Sequence, residues 1–119
     1  MVAILAEGRR REKEQTRFYR RLAERLNQLH ADEQHHLSRL TARMLELGGT
    51  PKELGGPEAD APDVTTWEET ARSRENAEVE WYREAMAAEM DSETRALLRE
   101  ILDSEEHHAE ELAGKWMSA

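Results

Sequence analysis

The first third of the chain carries a stripe whose spacing alternates between three and four residues without a slip. Its members are Glu12, Gln15, Tyr19, Leu22, Leu26, Leu29, Glu33, His36 and Leu40. Such a heptad rhythm keeps one face of a helix turned toward a partner. Neither Gly nor Pro occurs between positions 9 and 47. The pattern therefore predicts one uninterrupted helix over about 3–47. Glu12, Glu33 and His36 place carboxylates and an imidazole on the stripe where an apolar residue would stabilise more. On one straight helix Glu12 and Glu33 stand about 31 Å apart at 1.5 Å per residue, too far to share a site.

Punctuation is concentrated after this stripe. Pro51, Pro57 and Pro62, with Gly48, Gly49, Gly55 and Gly56, mark 48–64 as one long connection. Beyond it, Thr66-Trp67-Glu68-Glu69 reads as a capping box opening a helix over about 66–90. Asp91-Ser92-Glu93 supplies a turn and a new N-cap, and a last helix is expected over about 92–117. The seams of this hairpin are Trp67, Ala71, Glu75, Glu78, Tyr82 and Met86 on one arm, and Leu98, Ile101, Glu105, His108 and Leu112 on the other. A pivot at Met90–Asp91 sets Glu75 level with Glu105. Met44, Met86 and Met90 are expected as core fillers, and Trp67 and Trp116 as end caps.

Two Glu-x-x-His motifs stand on these seams, Glu33 with His36 and Glu105 with His108. Residues three apart share a helix face, so each motif aims a carboxylate and an imidazole the same way. Oxygen and imidazole donors together suit Fe or Mn. The halves also repeat more widely. Glu12 precedes Phe18-Tyr19 by six and seven residues, and Glu75 precedes Trp81-Tyr82 by the same intervals. From Glu12 to Glu33 is 21 residues, whereas from Glu75 to Glu105 is 30. The first half thus reads as the second with nine residues removed at the turn, around Arg20–Ala23.

Without a turn, the long helix has to be matched by an antiparallel copy of itself. Pairing about its midpoint puts residue i opposite 45 − i, so Glu12 of one chain lies beside Glu33 of the other. The expectation is a domain-swapped homodimer with two four-helix bundles and two metal sites. Each site takes Glu12 from one chain, Glu33 and His36 from the other, and Glu75, Glu105 and His108 from a hairpin.

Composition narrows the alternatives. A net charge of −9 argues against nucleic acid as a partner. Arg9-Arg10-Arg11 is flanked by Glu7, Glu12 and Glu14 and reads as a solvated face. With no cysteine there is no disulfide, thiolate catalysis or iron–sulfur centre. No apolar run approaches a membrane span, so a cytoplasmic protein without a membrane partner is expected.

The twice-repeated order of Glu, aromatic-Tyr pair and Glu-x-x-His resembles rubrerythrin and its relatives in the ferritin-like superfamily, over roughly 12–40 and 67–112. The C-terminal half, with Glu75, Trp81-Tyr82 and Glu105-x-x-His108, is also similar to the encapsulated ferritins, which build their site across a dimer. The resemblance implies an all-α, ferritin-like four-helix bundle forming a single domain over 1–119. It further implies two iron ions per site, with manganese as an alternative, and reactions with O₂ or peroxide. Carried over by position, the metal ligands are Glu12, Glu33, His36, Glu75, Glu105 and His108, with Glu78 as an extra carboxylate. Tyr19 and Tyr82 are candidate catalytic groups beside them, against a plainer role in packing. His30, His35 and His107 are expected at the surface.

The function expected is that of a ferroxidase or peroxidase-like oxidoreductase drawing on an unidentified electron donor. The rivals are a metal-free helical dimer serving as an interaction module, and di-manganese or organic-substrate oxygenase chemistry at the same ligands. Metal content separates the first rival from the others.

Overall fold

A computed structural model of the chain describes residues 1–51, 63 and 65–115. Among them the only regular structure is helical: α1 (Val2–Glu46), α2 (Trp67–Ala85), α3 (Ser92–Glu110) and a π-helical turn (Glu111–Lys115). None of these helices is long and apolar enough to cross a membrane. The chain divides into two compact units, Met1–His35 and His36–Ala119, with the boundary inside α1.

α1 is unbroken, as its seam predicts. Its first turns are supported by local charge pairs. Glu7 binds both Arg10 and Arg11, and Arg10 also reaches Glu14 at 2.6 Å. The two guanidiniums hold the Glu7 carboxyl below its ordinary range. The helix stops in a Schellman turn. Gly49 N–H donates to the Met44 carbonyl at 2.9 Å and Gly48 N–H to that of Leu45 at 3.0 Å. Gly48 adopts φ +84°, a conformation that a side chain would strain.

Taken alone, the unit Met1–His35 buries none of its residues. Tyr19 is 60% exposed and Phe18, Leu26, Ile4 and Leu5 are exposed as well. The second unit holds the core. Val79, Tyr82, Leu97, Ile101 and Leu102 form it, with Leu40, Met86, Leu98 and Ala109 packed on them. Met44, expected in a core, is exposed.

Residues 36–46 are clamped to the start of α3 by Arg43. Its guanidinium donates to Thr94 Oγ1 at 3.0 Å and Glu93 at 2.9 Å and pairs with Asp91. Arg39 pairs with Glu100 further along. Asp91 is the N-cap of α3, accepting from Thr94 N–H at 3.0 Å and Thr94 Oγ1 at 2.6 Å.

The hairpin departs from expectation at two ends. α2 closes at Ala85 rather than near Met90, because the ladder tightens to bonds of three-residue span, Ala87 N–H to Glu84 O and Ala88 N–H to Ala85 O. Arg95 then reaches back from α3 to the carbonyls of Met86 and Ala88. Thr66 is the N-cap of α2, but its side chain makes no capping bond. Asp63 orders the approach instead, accepting from the backbone and hydroxyl of Thr65. The expected end near Met117, the cap by Trp116 and most of the 48–64 connection lie outside the described residues.

Candidate metal centre

The hairpin brings the second-half residues together as its pivot predicts. Glu75 on α2 and Glu105 and His108 on α3 each offer a ligand atom, and these atoms lie within 4.8 Å of one another. His108 Nδ1 stands 3.8 Å from Glu75 Oε2. His36, opening the second unit near the end of α1, places its Nδ1 3.0 Å from Glu105 Oε1. The two imidazoles lie 6.4 Å apart between ring centres and are inclined by 28°.

Burial separates these groups from ordinary surface charges. Glu105 and His108 are each 1% exposed, and His36 is also buried. A carboxylate withdrawn from water is costly unless a cation or donors compensate it. Tyr82 lies one heptad beyond Glu75 and is buried in the adjoining core. Trp81 and Tyr82 meet edge to face at 4.9 Å, and Phe18 and Tyr19 repeat that arrangement at 5.2 Å. The repeat in sequence is thus also a repeat in local geometry, with the tyrosine covered in the second half and bare in the first.

The other anticipated residues are exposed. Glu12, Tyr19 and Glu33 are exposed on the part of α1 in the first unit, Glu33 three residues before His36. Glu78 is exposed on α2. His30 and His35 are exposed as well. His107 points outward and pairs with Glu111 at 2.6 Å. One supporting residue was not anticipated. Arg72 on α2 donates to the Leu112 carbonyl at 3.1 Å, tying the π-helical turn after His108 back to the helix that carries Glu75. A cation on the Glu75 arm, three residues before that carboxylate, is the signal that marks it in retrospect.

Two carboxylates and two imidazoles, with no sulfur, form a donor set matched to iron or manganese. A family model for the ferritin-like domain matches residues 15–115. The chain belongs to that family. Comparison with curated proteins and with solved structures found no match.

Proposed function

We propose that this protein is a rubrerythrin-like di-iron carboxylate protein that oxidises Fe(II), reduces O₂ or H₂O₂, or does both, as an antiparallel homodimer. The observation that carries the reading is the burial of Glu105 and His108 against Glu75 and His36. Two such groups in a core are costly without a counter-charge, since Leu or Met of similar size stabilises more. In this reading Glu75, Glu105, His36 and His108 hold metal together with Glu33, three residues before His36. Glu12 comes from the second copy, and Glu78 is a spare carboxylate one turn after Glu75.

Bound there, a pair of iron ions supplies the electrons that O₂ or H₂O₂ takes up, with Fe(II) the substrate when iron oxidation is the reaction. The protein's own part is electrostatic and steric. The carboxylates offset the cationic charge, and Ile101, Leu102 and Leu97 keep bulk water from the inner wall of the hairpin. The Tyr82 phenol, buried on the Glu75 helix, is the group suited to pass a proton or an electron inward. The chain has no cysteine to hold an electron-transfer iron, so reducing equivalents come from a separate donor.

Metal analysis tests the proposal directly. Protein from iron-supplemented cells should carry about two irons per site, as in the di-iron bundles. Glu105→Ala and His108→Ala should lose them while remaining helical. Wild-type protein that folds but refuses Fe(II) would overturn the reading and favour a metal-free interaction module.

A further inference from the structure

An apolar groove of about 310 Å³ opens in the second unit beside the end of α1, lined by Leu40, Met44, Leu47, Leu97 and Leu98. The first unit carries the complementary feature. Met1 is 88% exposed and Leu5 66%, with Val2 and Ile4 also bare. The three-and-four rhythm of the α1 stripe extends downward from Glu12 through Gly8 and Leu5 to Met1, and upward from Leu40 to Leu47. All these positions therefore share one face.

We infer that the groove is the seat of the Met1–Leu5 segment of a second copy of this chain. The inference rests on the antiparallel dimer proposed above and identifies what locks it at each end. A pairing that puts Glu12 opposite Glu33 also puts Leu5 opposite Leu40 and Met1 opposite Met44. It sets Lys13 against Asp32 and Arg21 against Glu24, unlike charges, beside a like pair, Arg20 against Arg25. Gly8 falls opposite Leu37, and the space over Gly8 is open in the single chain. The same pairing that completes the carboxylate set with Glu12 thus delivers an apolar plug to an apolar groove.

The absence of cysteine allows a clean test by oxidative crosslinking. Leu5→Cys/Leu40→Cys should form a disulfide-linked dimer on a non-reducing gel, and Leu5→Cys alone should not. Leu22→Cys, placed beside its own copy near the twofold axis, reports on the dimer independently of the groove. A link at position 22 without a 5–40 link overturns the groove assignment while leaving the antiparallel dimer intact. No link in either variant overturns both, and a link in Leu5→Cys alone means parallel pairing and does the same. Leu5→Asp should weaken metal-free dimerisation at least about tenfold by light scattering, since burial of one leucine is lost at each end. Its helix content should not change, because Leu5 is exposed in the single chain. Undiminished dimerisation of Leu5→Asp would overturn the assignment.

Discussion

His36 Nδ1 stands 3.0 Å from Glu105 Oε1, so the imidazole of the first Glu-x-x-His meets the carboxylate of the second. That contact joins His36 to the buried carboxylate of the second motif. Replacing Glu105 by Gln keeps the volume and removes the charge. The wild type should gain melting temperature on anaerobic addition of Fe(II), the gain corresponding to about 2.7 kcal/mol at a free concentration one hundred times Kd. Glu105→Gln should show little or none. An equal gain in the variant, by scanning calorimetry, would place the metal elsewhere.

Ile101 is 1% exposed at the centre of the hairpin core. Ile101→Ala should cost about 2–5 kcal/mol, as deletions in packed cores do. Leu26→Ala, on the bare seam of α1, should change the stability of the isolated chain far less and act on dimerisation instead. Urea unfolding at two protein concentrations separates the cases. If both variants lost the same amount at every concentration, the first half would have to possess a covered core of its own.

Tyr82 is 7% exposed, whereas Tyr19, its counterpart in the repeat, is 60% exposed. Tyr82→Phe should retain the fold and the metal and slow Fe(II) oxidation by about a hundredfold or more, the scale of a lost proton-transfer group. Stopped-flow absorbance on metal-loaded protein measures this. Unchanged turnover would leave the phenol as packing only.

The sequence made the helices and the buried group legible because both depend on periodicity. The unbroken stripe from Glu12 to Leu40 leaves α1 no place to turn. The equal reach of Glu75 and Glu105 from the hairpin pivot sets their register whatever the details of the turn. What periodicity does not encode are single long side chains that act across the fold. Arg95 returning to the Met86 and Ala88 carbonyls accompanies the early end of α2. Arg43 clamping Asp91, Glu93 and Thr94 fixes the α1 segment that carries His36. Any of the many arginines has the chemistry for these roles, and only the folded backbone selects which ones fill them. Seam position also does not encode exposure, since Glu78 shares a stripe with Glu75 and is exposed.

Asp91 ties both features together, because it caps α3 and receives Arg43. Bonds from the Thr94 hydroxyl and backbone N–H, with Arg43 beside them, lower its pKa to about 2 from an ordinary 3.8. A group whose pKa is depressed by folding stabilises the native state above its unfolded value, and that stability fades as pH falls through the folded value. The contribution should therefore be complete above about pH 4 and lost progressively toward pH 2. Asp91→Asn retains a capping oxygen but not the charge, so it should unfold at lower urea than the wild type at pH 5. The gap between the two should narrow steadily below pH 4 and nearly vanish at pH 2. Other carboxylates titrate in both proteins and cancel in the comparison. A gap that stayed constant down to pH 2 would mean that the cap owes nothing to ionisation, and that Arg43 holds the end of α1 through Thr94 and Glu93 alone.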